Sequence, residues 1–276
     1  MNVPLRPPPK PGHLARLADI VHRAMRGELH LPPWWLRDVG GADFEAAGHE
    51  FLRLFIQLGN LQHDERILEI GCGSGRMALP LTSYVSQAGS YVGMDITQES
   101  IAWCQRNITR RFPNFQFLHA DLYNQRYNPN GRYLARHYTF PLGVEGFDFI
   151  LLTSVFTHML PDDIDNYLRE IARLLRPAGR ALITCFLLNE TQRLLASQGQ
   201  NDIDFKYGSG PYRVRSESVP ESAIAYNETF LRQLITQCGL QISEPVYYGT
   251  WSGRDDGLSY QDIMLIQRRE DETSVV

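Results

Sequence analysis

Short apolar runs alternate with amphipathic segments along the chain from Glu65 onward. The runs predict seven strands and the amphipathic segments predict four helices. The strands fall at about 66–70, 90–95, 116–119, 147–153, 180–186, 241–248 and 259–267, and the helices at about 77–87, 98–109, 162–175 and 228–239. Strands separated by helices need crossover connections, so we expect an α/β fold with a doubly wound, mostly parallel seven-stranded sheet.

Two further helices are predicted ahead of the first strand. One follows a proline-rich stretch, residues 1–12, and the other covers most of residues 43–59. Their apolar faces consist of Leu14, Leu17, Ile20, Val21 and Met25 in the first helix and of Phe44, Phe51, Leu52, Phe55 and Ile56 in the second. We expect both helices to cap the core or to lie over a pocket.

The alternation also predicts how the chain is divided. Residues 1–60 form an N-terminal helical extension, residues 61–268 form the main domain and residues 269–276 form a flexible tail. Two stretches of the main domain, 122–146 and 187–227, fit no helix or strand well. Both leave the carboxyl ends of strands, and loops of that length are typical of lids, so we expect lid-like insertions over a site.

A glycine-rich turn follows the first strand, in the stretch "ILEIGCGSGRM". Gly71, Gly73 and Gly75 occupy alternate positions, and such a turn exposes backbone N–H groups to a closely approaching ligand. A dinucleotide fingerprint would need glycine where Arg76 stands, and a phosphate-binding loop would need a Gly-Lys pair that is missing here. Both of those ligands are therefore disfavoured.

Acidic residues end the next two strands. "YVGMD" ends at Asp95, 24 residues after Gly71, and "FQFLHADLYN" places Asp121 after the third strand. A carboxylate at such a strand end can accept hydrogen bonds from both hydroxyls of a ribose. Two more stretches follow in order, "GFDFILLTSVFTHML" and "LLRPAGRALITCF".

Taken in this order, these motifs resemble those of the class I S-adenosylmethionine-dependent methyltransferases. The resemblance covers residues 60–186 and, more loosely, the strands as far as 268. It implies a Rossmann-like methyltransferase fold, S-adenosylmethionine as the cofactor, Asp95 on the ribose, Asp121 on the adenine amino group and Glu69 near the amino-acid end. The residues it assigns to cofactor binding are Glu69, Gly71, Cys72, Gly73, Gly75, Asp95, Ile96, Asp121, Leu122, Thr153 and Ser154.

His158, just past the fourth strand, is the candidate general base. A hydroxyl acceptor must lose a proton during methyl transfer, and an ordinary histidine pKa of about 6.5 suits that role. A histidine that only packs against the following helix is the structural alternative. Candidate acceptor contacts are Phe156, Thr157, Tyr133, His137, Tyr212, Arg213, Trp251 and Arg254.

The predicted function is methyl transfer to a hydroxyl of a small polar molecule, either a saccharide or a secondary metabolite. Methyl transfer to nitrogen or carbon of a small metabolite is one alternative, and cofactor binding without catalysis is another. An aminopropyl transferase is disfavoured because no acidic pair follows the fourth strand in a position to hold an amine.

Composition limits the kinds of partner and the cellular compartment that the sequence predicts. The net charge is −4 and no basic stripe is present, so we expect no nucleic-acid partner. No segment has the length of a signal peptide core or a membrane span, which predicts a cytoplasmic protein without membrane contact. The four cysteines lack metal-ligand spacing, so we predict reduced thiols and no metal. The sequence is compatible with a homo-oligomer.

Overall fold

The structure, a computed structural model, describes residues 11–37, 43–144 and 146–269. Its helices are α1 (His13–Met25), α2 (Phe44–Gln57), α3 (Ala78–Leu81), α4 (Gln98–Cys104), α5 (Pro161–Leu174), α6 (Glu190–Ser197) and α7 (Glu228–Gln237). Its strands are β1 (Arg66–Ile70), β2 (Ser90–Asp95), β3 (Phe115–His119), β4 (Phe147–Leu152), β5 (Leu175–Cys185), β6 (Leu187–Leu188), β7 (Tyr212–Val214), β8 (Ile224–Asn227), β9 (Leu240–Tyr247) and β10 (Asp262–Arg268).

Seven of the strands form one sheet, in the order β3-β2-β1-β4-β5-β10-β9. Strands β1 to β5 of this sheet are parallel, and β10 runs antiparallel to both of its neighbours. The strand order reverses between β1 and β4, and ligands of such sheets bind beyond the carboxyl ends of the strands at that point. The predicted sheet is therefore confirmed, and the glycine turn after β1 lies at the expected edge.

Alternate residues of the central strands bury opposite faces of the sheet. Leu68 and Ile150 belong to the hydrophobic core on one face, while Ile67, Phe149 and Leu151 belong to the core on the other. This alternation follows from the two-residue repeat of a strand. Because both faces are covered, the strands read as nearly continuous apolar runs in the sequence.

Several predicted elements differ from the structure. The strand predicted at 180–186 begins at Leu175, and the one predicted at 259–267 begins at Asp262. The helix predicted at 77–87 is only the four-residue α3, because Thr82, Ser83 and Val85 are poor helix formers. The helix predicted at 98–109 continues beyond α4 as a π-helical turn, Gln105–Thr109. The stretch 187–227, predicted to lack regular structure, contains α6 and a small sheet in the order β6-β8-β7.

Helix α1 turns its apolar side outward, contrary to the expectation that this side covers the core. Asp19 and Arg23 are the buried residues of the helix, and Arg23 Nε donates to Asp19 Oδ2 at 2.7 Å. Arg23 Nη1 also donates to the carbonyl oxygen of Leu31. The polar side is turned inward because it satisfies backbone groups of the following loop. The residues predicted to be buried are 47–84% exposed: Leu14, Leu17, Ile20, Val21 and Met25.

Helix α2 packs against the sheet, but Ile56, which the sequence places on its apolar face, is 37% exposed. Asp43 caps its first turn by accepting from Ala46 N at 2.7 Å, and Phe55 is fully buried with its ring 5.8 Å from that of Phe149 on β4. The proposed N-terminal extension is thus joined to the core of the sheet through this helix. Apart from Arg269, the predicted tail lies outside the described residues, as does most of the proline-rich stretch at 1–12.

Candidate functional site

All three glycines of the turn after β1 have positive φ angles, +81° for Gly71, +51° for Gly73 and +84° for Gly75. Other residue types rarely adopt this conformation. A Cβ atom on Gly71 would stand 2.3 Å from a methyl group of Val155, and one on Gly75 would stand 2.8 Å from Ile108 Cδ1. A Cβ atom on Gly73 would meet no atom within 4 Å. Gly73 therefore faces open space, whereas the other two glycines are held against protein.

Asp95 ends β2 beside this turn. Its Oδ2 accepts a hydrogen bond from Gly73 N at 2.7 Å, and its Oδ1 accepts from Thr97 N at 2.7 Å. Burial raises the pKa of this carboxyl, and the two backbone donors oppose that shift. Each carboxylate oxygen has a second lone pair, so Asp95 can also accept from two hydroxyl groups of a ligand.

Glu69 on β1 is a buried carboxyl at the same edge. The Tyr91 hydroxyl donates to its Oε2 atom, and burial raises the pKa of Glu69 to about 8. The hydrogen bond from Tyr91 and the nearby Arg76 guanidinium act in the opposite direction. A cationic ligand group beside Glu69 would favour its charged form by the same electrostatic mechanism.

A cavity of about 520 Å³ opens over the carboxyl ends of β1, β2 and β4. Its volume lies within the usual range for a small-molecule site. The residues predicted for the cofactor or the acceptor that line it are Glu69, Gly71, Cys72, Gly73, Asp95, Ile96, Leu122, Thr153, Ser154, Thr157 and His158. Stretches far apart in the sequence are thus brought to one site.

Several predicted site residues do not line the cavity. Phe156 and Trp251 are fully buried, and Trp251 Nε1 donates to Asp262 Oδ2 at 2.9 Å within an aromatic cluster. Asp121, predicted on the adenine, has a side chain 38% exposed and 3.9 Å from the Arg132 guanidinium. A Cβ atom on Gly75 would point at Ile108, so this glycine faces protein atoms.

The remaining acceptor candidates lie on the outer surface of the two insertions or against other side chains. Tyr133, His137 and Arg213 are exposed. Tyr212 packs near Tyr226, with ring centroids 6.4 Å apart, and the Arg254 guanidinium stands over the Tyr248 ring. A loop sequence rich in tyrosine and arginine does not reveal which side chains turn inward, because loops lack a fixed repeat.

Other cavity residues have no motif to mark them. One wall comes from the segment before β1, and the rest come from the insertions and the start of β10. They include Trp35, Leu36, Glu50, Asn124, Arg126, Glu221, Ser222, Tyr260 and Gln261. The expectation that the N-terminal helices and the insertions cover a site was the only signal for them.

Ser154 has a positive φ angle of +60°, which is uncommon for a residue with a side chain. Its N–H donates to Thr184 Oγ1 at 2.8 Å, and that hydroxyl donates to Gln261 Oε1 at 2.6 Å. The Ser154 hydroxyl also donates to Gln261 Oε1 at 3.2 Å, so the amide oxygen of Gln261 faces both hydroxyls. The Gln261 amide therefore offers N–H donors on its other side, in a residue that lines the cavity.

His158 lies in the 3₁₀ turn Phe156–His158, directly after β4. Its Nδ1 is 2.8 Å from the carbonyl oxygen of Glu221, and its Nε2 is 3.3 Å from the Tyr127 hydroxyl. A carbonyl oxygen only accepts, so Nδ1 carries the proton and Nε2 keeps its lone pair. Burial is the main cause that lowers the pKa of His158 to about 4. The ring is therefore neutral at pH 7, with Nε2 as an acceptor.

The described part of the chain contains no group of three or more His, Cys, Asp or Glu side chains placed to hold a metal ion. Its four cysteines are all buried and free. None of the described helices has the length and apolar character needed to cross a membrane.

Comparison with known proteins shows which family and which fold the chain is similar to. Residues 67–179 match the family model described as a methyltransferase domain. A solved structure of a SAM-dependent methyltransferase from Methanosarcina mazei aligns with a TM-score of 0.52 and 23% identity over 78% of this chain and 96% of that one. The fold is that of the class I methyltransferases, and the match to the methyltransferase-domain family is confined to residues 67–179.

Two curated relatives differ in what their names say they act on. The chain is 27% identical over 178 residues to the chicken tRNA N(3)-cytidine methyltransferase METTL2, covering 64% of this chain and 43% of that protein. It is 32% identical over 120 residues to phthiotriol/phenolphthiotriol dimycocerosates methyltransferase 1 of Mycobacterium ulcerans (strain Agy99), covering 44% of this chain and 37% of that protein. The chain thus spans less than half the length of these relatives.

Proposed function

We propose that the protein transfers a methyl group from S-adenosylmethionine to a hydroxyl of a small polar acceptor. The observation that supports cofactor binding is the cradle formed by Gly73 and Asp95: an open face at Gly73, with a half-buried carboxylate directly beside it. Asp95 would hold the ribose hydroxyls, and the buried Glu69 suits the ammonium of the amino-acid end. When bound, S-adenosylmethionine supplies an electrophilic methyl group on a positively charged sulfur.

The protein's own contribution would be alignment and proton removal. His158 lines the same cavity as the glycine turn, and its Nε2, which now accepts from the Tyr127 hydroxyl, would take the acceptor proton as the new carbon–oxygen bond forms, once the acceptor hydroxyl has replaced that contact. The Glu221 carbonyl holds Nδ1–H and so keeps the ring in this tautomer. The apolar walls from Trp35, Phe44 and Phe51 would help to exclude water from the reacting groups.

A saccharide or a related secondary metabolite is the acceptor class that we propose. The cavity of about 520 Å³ must hold both cofactor and acceptor, which favours a small molecule. Polar groups in its wall, among them Gln261 and Arg215, suit hydroxyl-rich ligands. The net charge of −4 favours neither nucleic acid nor an anionic membrane surface as a partner.

Methyl transfer to nitrogen is the second candidate. The low basicity of His158 favours it, because an amine with a lone pair needs no general base. The protein is incubated with labelled S-adenosylmethionine and a panel of sugars, phenols and amines, and the products are analysed by mass spectrometry. The atom that carries the label distinguishes the two candidate functions. Label on nitrogen alone would contradict the hydroxyl proposal.

Cofactor binding is tested with Asp95→Ala. Removing the carboxylate should weaken S-adenosylmethionine binding at least tenfold, since each charge-assisted hydrogen bond contributes about 1.5–3 kcal/mol. Isothermal titration calorimetry on the wild type and the variant measures the difference.

Asp148→Ala is the matched control. Asp148 is likewise a carboxylate that accepts a backbone N–H, from Arg66 at 2.8 Å, but it is buried and lies at the amino ends of the strands. The Asp148→Ala protein should be less stable than the wild type but should bind the cofactor with unchanged affinity. Unchanged affinity in a folded Asp95→Ala protein would refute the proposed ribose site.

A further inference from the structure

The Arg76 guanidinium lines the cavity without a hydrogen-bond or ion-pair partner among the described residues. Its nitrogen atoms remain accessible, so the open side of the group is the cavity. Burial lowers the pKa of Arg76, which shows that most of its surroundings are protein. A guanidinium carries only N–H donors. A cation held out of bulk water without an acceptor is costly, so its position indicates a ligand group that supplies one.

The backbone of Arg76 is fixed by two segments that contact it. The residue directly follows Gly75 in the turn after β1. A Cβ atom on Gly48 of α2 would stand 2.5 Å from the Arg76 carbonyl oxygen, so the two backbones are in close contact. The guanidinium therefore reaches the cavity from a well-anchored position.

Two carboxyl groups, Glu69 and Glu50, lie near enough to Arg76 to influence its charge. Each has a donor of its own: the Tyr91 hydroxyl donates to Glu69, and the Ser259 hydroxyl donates to Glu50 Oε1 at 2.7 Å. Neither forms an ion pair with Arg76. The ammonium of the proposed cofactor would lie beside Glu69, which leaves Arg76 as an unmatched positive charge.

The surroundings of Arg76 include groups from both ends of the proposed reaction. The guanidinium interacts electrostatically with Glu69, near the amino-acid end of the cofactor, and with Tyr127. The Tyr127 hydroxyl is 3.3 Å from Nε2 of His158, the candidate base. A guanidinium presents paired N–H groups that match the two oxygens of a carboxylate, and a carboxylate also supplies the missing negative charge.

We propose that Arg76 binds a ligand carboxylate and that the methyl acceptor carries it, so that the acceptor is a hydroxy acid. The inference rests on the proposed function and names the acceptor class more closely. A site built around such a cation rejects the neutral analogue of its ligand, because the cation is then left without its partner. The amino-acid end of the cofactor also carries a carboxylate, so two arms of the test separate these two sources.

The first arm compares matched probes by calorimetry on the protein saturated with S-adenosylhomocysteine. Salicylate is compared with salicylamide, and glucuronate with glucuronamide, since each amide keeps the hydroxyl groups of the acid and removes its charge. In at least one pair the acid should bind about tenfold more tightly than the amide. Arg76→Met should abolish that preference, and Arg76→Lys should retain part of it, because lysine keeps the charge without the paired N–H groups.

The second arm tests the cofactor. S-adenosylhomocysteine and its decarboxylated analogue are titrated into the wild type and into Arg76→Met. If the acceptor supplies the carboxylate, the difference in affinity between these two nucleosides should be the same in both proteins.

Two other arginines serve as controls. Arg215 also lines the cavity, and its guanidinium has no hydrogen-bond or ion-pair partner among the described residues. Arg215→Met should lower the acid preference far less than Arg76→Met. Arg180 lies outside the cavity lining and forms an ion pair with Glu65 at 2.7 Å. Arg180→Met should melt at a lower temperature and keep the acid preference, whereas ligand-free Arg76→Met should melt at or above the wild-type temperature.

The outcomes are separable. Equal binding of acid and amide in both pairs, or no binding of any probe, overturns the hydroxy-acid proposal. A difference in affinity between the two nucleosides that disappears in Arg76→Met assigns Arg76 to the carboxylate of the cofactor and overturns the proposal as well. The same holds if Arg76→Met melts clearly lower and keeps the acid preference, or if Arg215→Met is the variant that abolishes it. Failure of the wild type to bind S-adenosylhomocysteine overturns the proposed function instead.

Discussion

At the scale of single residues, Gly71 and Gly73 show why a shared sequence pattern does not imply a shared role. Both have positive φ angles, +81° and +51°, so both need glycine for the backbone. Their surroundings differ, because a side chain on Gly71 would collide with Val155 whereas one on Gly73 would enter open space. A substitution at Gly71 therefore combines backbone strain with a collision inside the protein. A substitution at Gly73 combines backbone strain with a possible contact to a ligand.

Gly73→Ala should weaken S-adenosylhomocysteine binding at least tenfold, because the new methyl group would occupy the side from which the ligand approaches. Its cost to folding should be limited to backbone strain of about 1–3 kcal/mol. Gly71→Ala adds a collision at 2.3 Å to that strain and should be the less stable of the two. Calorimetry and urea unfolding measure both effects. If Gly73→Ala binds like the parent, Gly73 is only a turn residue.

The role of His158 is tested by His158→Ala. General-base catalysis contributes about 10²–10⁴-fold, so turnover should fall by that factor while cofactor affinity stays unchanged. His63→Ala is the control, because His63 is exposed and its Nδ1 contacts the Tyr84 carbonyl at the other end of β1. Near-full activity in His158→Ala would exclude proton removal by this residue and favour an amine acceptor.

The pH dependence should differ from that of an ordinary histidine. With its pKa lowered to about 4, His158 stays neutral through the range where the sequence alone predicts titration. The wild-type rate should therefore stay level below pH 6.5 and fall only toward pH 4. The unfolded chain binds more protons in this interval, so the contribution of His158 to folding stability is full above its unfolded pKa of 6.5 and is lost toward pH 4. A rate profile centred near 6.5 would contradict the buried environment.

At the scale of elements, the segment before β1 serves both folding and the cavity. Phe44 and Phe51 of α2 line the cavity, while Phe55 of the same helix is buried against Phe149. Ser74 Oγ donates to the Leu36 carbonyl oxygen at 2.7 Å, which ties the glycine turn to this segment. The helix is therefore part of the folded unit, although the sequence pattern predicts an extension.

Phe55→Ala tests this connection. Truncating a fully buried phenylalanine should lower the free energy of unfolding by about 3–5 kcal/mol. The neighbouring Ile56→Ala is the control, since Ile56 is 37% exposed and should cost much less. Chemical denaturation measures both. Similar losses in the two variants would contradict the packing of α2 against the sheet.

The sequence predicts strands correctly where burial and the local preference of the residues favour the same structure. The buried strands β1, β2 and β4 were predicted within one residue, because two-sided burial gives continuous apolar runs. α6 and the small sheet of β6, β7 and β8 were missed because they are short. Such elements are stabilised by tertiary contacts rather than by their own sequence pattern.

At the scale of the whole molecule, the site is assembled from both ends of the chain. Ser259 Oγ donates to Glu50 Oε1 at 2.7 Å across 209 positions of sequence, and both residues line the cavity. The reversal of strand order between β1 and β4 brings the glycine turn and the turn containing His158 to one edge. The sheet topology thus creates the cavity, and the insertions and α2 enclose it.

Local sequence patterns suffice to predict the class of fold, the glycine turn and the acidic residue that ends β2. These features are local, because strand periodicity, positive-φ glycines and strand-end carboxylates are set within a few neighbouring residues. Tertiary structure alone decided that Trp251 is core, that Asp121 is paired with Arg132 outside the cavity and that Ser222 is part of the cavity wall. It also lowered the pKa of His158. These outcomes depend on which distant segments pack together and on the burial that results. No local sequence pattern predicts either of them.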